Sequence, residues 1–477
     1  KEVLTKLAKE KWSNIKIADR VIDTEGASNN HHEWVIIGVL YKEMKLRQSV
    51  LDDFKGSGTG MGTEASDMAT NITSSDDILI LEDDSGRIAV NGGDILKTEH
   101  IVTGVVLALK GRVDSQGVLQ VSDYLSYDAC YSNSQLSNTK NGEDNYIMLV
   151  SGLGMGKPRS PEEMVAANDP GDVELSRQML LDWLSGRIGD ENEVKKSSLV
   201  SRLIIAGDSI DVPAIDSNAI SLTYGPSRTK LEKEHQLKCS NIIKRFDAYL
   251  AMGLASLPID VMPGKTDPAV QNLPQQPLHP CLLPVSSRFS SLSLVTNPYD
   301  CRIGESSTGC RVIGHSGQPV SDIVRQTDFS TLNNDSMATE DKSPSETAAA
   351  AAHSSLQALK MTLQWGHIAP TAPDTLPCYP LTDSDPFIMP SVSSKENDKA
   401  SLTDDNNTPH ILFAGNQPCF ASELIEKASY RTLLLCIPSF RETGTAVLVN
   451  IRTLEASTIN FQIDSDDDDD NAVAMEI

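Results

Sequence analysis

The sequence predicts a multidomain protein of mixed α+β and α/β class, with a small β-barrel ahead of a larger layered domain. Three observations predict it. The chain has 477 residues, enough for two or three domains with a large buried core. Short apolar runs separated by Gly and Asp turns fill residues 31–130. From 145 to 462, strand-like runs alternate with segments of helical periodicity, which is the pattern of a sheet covered by helices.

Residues 1–30 read as an N-terminal helical segment, because Leu4, Leu7 and Trp12 recur among lysines on one face. Residues 31–135 read as an OB-fold domain. Trp34, Ile36, Ile37, Val39, Leu40 and Tyr41 give a first strand. Ile78–Leu81 turns through Asp84-Ser85-Gly86 into Arg87–Val90. Val102–Leu109 ends at Lys110-Gly111, and Val118–Val121 follows the Ser115-Gln116-Gly117 turn. Short strands at this spacing with Gly and Asp turns make a small barrel. The Gly/Ser/Thr-rich stretch at about 55–76 reads as a disordered hairpin tip.

Residues 136–462 read as the larger domain. Tyr146–Val150 is a buried strand. Asp172 caps a helix with Leu175, Met179, Leu180 and Trp183 on one side. Arg202–Ala206 is a second strand. Residues 227–252 form a long helix with Leu231, Leu237, Ile242, Phe246 and Leu250 inward. Strands follow at 292–295, 410–414, 432–438 and 445–451, with a helix through Leu356, Leu359 and Leu363. The insertions at about 330–352 and 391–408 hold few core-forming residues and read as mobile surface loops. Residues 463–477 are an acidic tail. Residues 258–300 are too rich in proline for helix and read as a pre-shaped loop laid over a surface. The chain opens on Lys1 rather than Met, so residues before it are expected.

The net charge is −25. That argues against a broad phosphate-binding surface, which needs Lys and Arg to displace counterions. The barrel strands offer few stacking aromatics beyond Trp34 and Tyr41, so a protein-interaction barrel fits better than a single-strand-binding one. No apolar run reaches 18 residues, so no membrane span is expected. Eight cysteines stand at 130, 239, 281, 301, 310, 378, 419 and 436 without a CxxC pair. They read as reduced thiols rather than zinc ligands.

One motif carries the look of chemistry. The second strand ends in Gly207-Asp208-Ser209-Ile210-Asp211, and GDxxD there resembles the metal-bridging aspartate of calcineurin-like phosphoesterases. Such enzymes hold two metal ions with Asp, His and Asn. The rest of that set is missing. The first strand ends in Ser151-Gly152-Leu153-Gly154-Met155-Gly156, without Asp or His. Met262-Pro263-Gly264-Lys265-Thr266-Asp267 replaces the Gly-Asn-His segment. Gly314-His315-Ser316-Gly317 keeps one histidine, and Gly415-Asn416 offers none. The degenerate site is therefore Ser151, Gly154, Gly207, Asp208, Asp211, Gly264, Asp267 and His315. It is expected to hold no metal, no cofactor and no catalytic residue. Asp208 or Asp211 is expected to cap a turn or helix. The Gly-rich loop is a weak candidate for a phosphate cradle. His279, His315 and His367 read as loop histidines held by hydrogen bonds, and Asp374 and Asp385 as turn formers.

Seven segments together resemble one family. They are MPGKTDP (262–268), LPQQPLHPCLLP (273–284), LVTNPY (294–299), GHSGQPVSDI (314–323), HIAPTAPDTLPCYP (367–380), TDSDPFIMP (382–390) and HILFAGNQPCF (410–420). In this order they resemble the second, B-subunit family of eukaryotic replicative DNA polymerases. PQQPLHPC and TNPY point to its delta branch. The resemblance covers roughly residues 30–460. It implies an OB-fold barrel joined to an inactive calcineurin-like phosphoesterase β-sandwich with flanking helices. It also implies a non-catalytic scaffold in the nucleus, serving DNA replication and repair synthesis. Two partners follow from it: the cysteine-rich C-terminal domain of the catalytic subunit and a third polymerase subunit. DNA would be met only indirectly, and no membrane is involved. For the partner surface the reading takes Leu273, Leu278, Leu282 and Leu283 of the Pro-rich crossing and the apolar face of the barrel strands, with the sealing of the joint between the two domains as an equal alternative for the same residues. Two rivals stay open. An active metal-dependent phosphoesterase would use Asp208, Asp211 and His315 with Mn²⁺ or Zn²⁺, and a single-strand-binding barrel would show salt-dependent affinity.

Overall fold

The computed structural model describes residues 1–24, 32–47, 71–131, 144–156, 172–211, 226–304, 309–329, 344–379, 387 and 408–462. The expected insertion cores, Asp385 and the acidic tail lie outside these residues.

The chain begins with α1 (Glu2–Lys11), whose Leu4 and Ala8 are buried, and Trp12 beyond its end is buried too. The strands β1 (Lys16–Ala18), β2 (Trp34–Glu43), β3 (Ile78–Asp83), β4 (Gly86–Asn91), β5 (Val105–Val113) and β6 (Leu119–Leu125) follow. They pair in the order β1-β2-β3-β4-β6-β5, and β2 also pairs with β5. Five strands therefore close into a ring. One parallel seam, Val90 opposite Leu119, completes it among antiparallel pairs. This is the OB barrel that the strand spacing predicts. Alternation along β3 sends Leu79 and Leu81 inside. α1 packs on the barrel through Val35, Ile37, Ala108 and Leu125.

Next come β7 (Tyr146–Val150), α2 (Asp172–Leu184), α3 (Glu191–Ser198), β8 (Val200–Ala206), α4 (Pro226–Leu254), β9 (Ile259–Met262) and β10 (Leu292–Leu294). A capping box of Asp190 and Glu193 starts α3. Then follow β11 (Tyr299–Ile303), β12 (Cys310–His315), α5 (Gln318–Arg325), α6 (Pro344–Trp365), β13 (Ile411–Gln417), β14 (Ala421–Glu426), β15 (Arg431–Pro438), α7 (Phe440–Thr443), β16 (Thr445–Asn450) and β17 (Glu455–Asn460). One sheet runs β10-β9-β8-β7-β16-β17 and another β11-β12-β13-β15-β14.

The chain divides into two compact units. The first joins Lys1–Gly142, Val270–Gln276 and Thr296–Cys436, and the second joins Glu143–Ala269, Pro277–Val295 and Ile437–Ile477. In the first unit the barrel shares one core with the β11–β15 sheet and its helices. Leu81, Val105 and Leu109 belong to the same cluster as Ile313, Leu359 and Leu412. In the second unit, α2 and α4 cover one face of the parallel strands through Leu180, Trp183, Phe246 and Leu250 against Leu203, Ile205 and Val261.

Several expectations need correction. Leu175 does not share the buried side of its helix with Leu180 and Trp183, and Leu231 and Leu237 do not face inward; all three are exposed. The last two fall in the first turns of α4, where residues 230–241 include no buried position. Residues 344–352 are not loop but the start of α6, because the Ala348–Ala352 run consists of the residue of highest helix propensity. The helix expected to be capped by Asp172 starts at that residue. The Pro-rich crossing is bounded by β9 and β10, which pair in parallel, Ile259 opposite Leu292. Between them it is loop with two short 3₁₀ turns.

Candidate functional site

Where β7, β8 and β9 end in the second unit, the predicted residues meet. The parallel pairing of β7 and β8 continues past the strands. The amides of Gly152, Gly154 and Met155 donate to the carbonyls of Gly207, Asp208 and Ser209 at 2.9, 3.0 and 2.9 Å. The amide of Asp211 returns a bond to Met155 at 2.8 Å. Gly152, Gly154, Gly156 and Gly207 all have positive φ, which lets two non-strand segments stay in register. The Gly-rich loop therefore spends these amides on its neighbour and offers no phosphate cradle there. Its Leu153 carbonyl and Ser151 hydroxyl are held too. The buried Arg177 guanidinium donates to Leu153 at 2.6 and 2.9 Å, and the Ser151 hydroxyl donates to Pro438 at 3.0 Å.

Asp208 stands at φ 54, a left-handed conformation uncommon for a non-glycine residue. Its Oδ1 accepts from the Thr266 amide at 3.0 Å, and the Thr266 hydroxyl donates to the carbonyl of Ile210 at 2.9 Å. Asp267 is buried. Its Oδ1 accepts from the Ile210 amide and its Oδ2 from the Gly264 amide, both at 2.8 Å. The two carboxylates thus stitch the loop after β8 to the loop after β9. This corrects the expected local cap: Asp208 reaches across to the next strand's loop. Gly264 is required here, because a Cβ would fall inside 3.0 Å of the Asp208 carboxyl and amide. Burial, then the neighbouring Asp208, pushes the Asp267 carboxyl up to about 7. Burial also raises Asp208, against the bonds from Thr266. Among the described residues no group of three or more His, Cys, Asp or Glu is placed to hold a metal ion.

His315 belongs to the first unit, at the end of β12. It is buried, and burial pushes its imidazole down to about 3. Its Nδ1 accepts from the Gly317 amide at 3.1 Å. His279 and His367 do the same with the amides of Cys281 and Ala369, both at 3.2 Å. His279 and His367 are loop histidines held by hydrogen bonds, as expected, whereas His315 is the last residue of a strand; in each the bond to Nδ1 leaves Nε2 to carry the proton.

The Pro-rich words share a second knot in the first unit. Asn297 and Gln275 exchange backbone bonds at 2.7 and 3.1 Å. The Asn297 amide nitrogen donates to Gln275 Oε1 and to the Ser316 hydroxyl, both at 2.7 Å. Gln318 Nε2 donates to Gln275 Oε1 at 3.1 Å, and Asn416 donates to the Ser316 carbonyl at 2.9 Å. Leu273 exchanges backbone bonds with the 377–379 segment. Five of the seven sequence words thus converge on a buried amide network. Sequence reasoning missed Gln275 and Asn297, although a Gln and an Asn each beside proline in apolar surroundings is the available signal. It also missed Arg177 and Asp247. Asp247 adjoins the core residue Phe246 and accepts from the amides of Val285 and Ser286 at 2.9 and 2.7 Å.

The crossing leucines are not a free surface. Leu273, Leu278 and Leu283 are buried and only Leu282 is half-buried, so these side chains pack in their own units. Leu278 and Leu283 join the second unit's core, with Leu282 against it. The barrel face keeps apolar side chains at its surface. Val39 and Ile78 are exposed there, with Tyr41 and Ile80 half-buried between them. Asp374 pairs with Arg47 at 3.2 Å.

The sequence pattern of the DNA polymerase delta subunit OB-fold domain matches residues 1–124, and that of the B subunit of DNA polymerases alpha and epsilon matches residues 147–422. The chain is 33% identical over 435 residues to the DNA polymerase delta small subunit of Oryza sativa subsp. japonica, covering 91% of this chain and 84% of that one. It is 32% identical over 470 residues to DNA polymerase delta subunit 2 of Drosophila melanogaster, covering 97% and 91%. With the DNA polymerase delta small subunit of Saccharomyces cerevisiae it shares 30% over 464 residues, covering 93% and 82%.

Proposed function

The chain belongs to the family of DNA polymerase delta small subunits, and we infer that it serves that polymerase as a non-catalytic scaffold. As an accessory subunit it associates with other polymerase subunits and acts in DNA replication. The observation that carries this is the match to small subunits over most of both chains.

The finer reading is ours. The scaffold bridges the cysteine-rich C-terminal domain of the catalytic subunit and a third subunit, in the nucleus, in replication and repair synthesis. It meets DNA only through them. Its α/β region is an inactive member of the calcineurin-like phosphoesterase fold. Three observations support this. The carboxylates at the strand ends spend their oxygens on backbone amides. The Gly-rich loop spends its amides on the adjacent loop. A chain of charge −25 is poorly suited to hold a nucleic-acid backbone by itself.

The test is co-purification with this chain as bait, with metal analysis on the same sample. Recovery of a polymerase catalytic subunit and a third subunit, with the isolated chain metal-free, is expected. A chain recovered alone, loaded with Mn²⁺ or Zn²⁺, with phosphodiesterase activity lost on Asp208→Asn, would overturn the scaffold reading.

A further inference from the structure

A groove in the second unit runs between α2 and α4. Its volume is about 500 Å³, and Met155, Leu175 and Met252 line it beside charged groups. Leu175 is 48% and Met252 52% exposed, so large apolar side chains stand in water on both helices. Methionine adapts its shape to what it meets, which suits a docking wall.

The charge at the rim is unbalanced. The Glu174 carboxylate is shared by two guanidiniums, Arg177 at 2.7 Å and Arg245 at 2.9 Å. Although burial raises it, these arginines hold the Glu174 carboxyl below its ordinary value. Among the described residues lining the groove, two cations against one anion leave a local excess of one positive charge, on a chain whose total is −25. The arginines differ in freedom. Arg177 is buried and fixed by the carbonyls of Leu153 and Gly154. Arg245 is more than half exposed and reaches Glu174 from the other helix.

We propose that this groove docks an acidic amphipathic segment of another polymerase subunit, with a bulky apolar side chain between Leu175 and Met252 and a neighbouring carboxylate on Arg245. The charge excess selects an acidic occupant and the apolar walls select one with a large side chain; a free anion would leave those walls in water. A second copy of this chain is disfavoured by like-charge repulsion between two strongly acidic molecules. The proposal rests on the accessory-subunit reading above.

The experiment places a photoreactive benzophenone amino acid at Met252 in the full chain, co-expressed with the other polymerase subunits. The assembled complex is irradiated and the cross-linked peptides are mapped. One dominant cross-link is expected, to a segment of another subunit that carries Asp or Glu within about two residues of Leu, Ile, Met or Phe. Arg245→Glu is expected to lower that cross-link about tenfold, about 1.4 kcal/mol of affinity, with the isolated chain still folded and its melting temperature lowered only as far as the loss of one exposed ion pair requires. Leu175→Asp, a second surface variant, should do the same. An assembled complex whose cross-links reach only residues 157–171 of the same chain, a second copy, or nothing overturns the groove proposal and leaves the accessory-subunit reading standing. A cross-link that Arg245→Glu leaves unchanged overturns it too. Failure of the wild-type chain to assemble with any polymerase subunit overturns both.

Discussion

Asp267→Asn and His315→Leu should tilt the pH dependence of stability in opposite directions. Asp267 is pushed from 3.8 to about 7 by burial and by Asp208. A carboxyl whose folded value is raised contributes its stability fully below 3.8 and loses it as the pH climbs through 7. At about 1.4 kcal/mol per pH unit, that interval is worth about 4 kcal/mol as a ceiling. His315 is pushed from 6.5 to about 3 by burial. Its contribution is present above 6.5 and lost as the pH falls toward 3, with a ceiling of about 5 kcal/mol. Between pH 4 and 6.5 the two oppose each other, and a whole-molecule melt would hide both. They lie in different compact units, so they can be read separately. Hydrogen exchange resolved on peptides covering 200–211 and 310–317, from pH 5 to 8, is the assay. In the wild type, opening of the 200–211 peptide should grow easier as the pH rises. Asparagine cannot ionise, so Asp267→Asn should remove at least half of that slope. Some slope remains, because burial raises Asp208 as well. The variant also leaves an NH₂ facing a backbone amide, which costs about 1–3 kcal/mol at every pH. The 310–317 peptide should not respond to it. An unchanged slope in Asp267→Asn, after the level shift is removed, would refute the assignment of a proton to this pair.

Four further outcomes follow from the geometry. Gly264→Ala drives a methyl into the Asp208 carboxyl and should cost about 1–3 kcal/mol, seen as a lower melting temperature; an unchanged one would contradict the close approach. Gly104→Ala should be at least as damaging, because Gly104 has φ 94 and its Cβ would enter the Pro370 carbonyl. Arg177→Met leaves the Leu153 carbonyl without its buried donor and should cost about 1–3 kcal/mol in denaturant titration, whereas Arg431→Ala removes an exposed pair with Glu426 and should cost under about 1 kcal/mol. Millimolar Mn²⁺ should leave the melting temperature of the purified chain unchanged; a saturable rise that Asp208→Asn abolishes would restore the phosphoesterase reading.

The barrel was legible because its signal is local. The short apolar runs of β3 and β5 and the Asp84-Ser85-Gly86 turn each act within a few residues. The parallel strands were legible as apolar runs, since Ile204 and Ile205 are both buried on opposite faces of β8. Helix faces were read less well. Leu231 and Leu237 have the composition of a core helix, but the sheet that α4 covers starts to bury it only at Ile242. No periodicity within a helix tells where its neighbour begins. The strand-end aspartates were found by motif, yet their use was not. Asp208 accepts from an amide 58 residues away, a pairing that only the parallel order of β8 and β9 creates. The same holds for the crossing leucines, whose proline-rich setting fits a partner surface and an internal seal equally, while Leu278 and Leu283 join the core.

The polar knots bear on why such a chain suits a scaffold. A loop ordered only on binding spends part of its contact energy on being ordered, about 0.5–1.5 kcal/mol for each immobilised side chain. Among the described residues, two sets of irregular segments are already fixed. Gln275, Asn297, Ser316 and Gln318 lock three sequence-distant loops through side-chain amides and one hydroxyl. Asp208 and Asp267 lock two more. Each bond joins a specific donor to a specific acceptor, so the network admits one register of these loops, whereas apolar packing alone would tolerate several. Proline adds to this by narrowing the unfolded ensemble of the same segments. The arrangement costs buried polar surface that would gain a simple folded domain little. It is repaid when rigid loops and helices must present a partner with a surface that needs no further ordering. On this argument, loosening a knot by Asn297→Leu should weaken subunit assembly more than the isolated chain's melting temperature would predict, although Asn297 is itself fully buried.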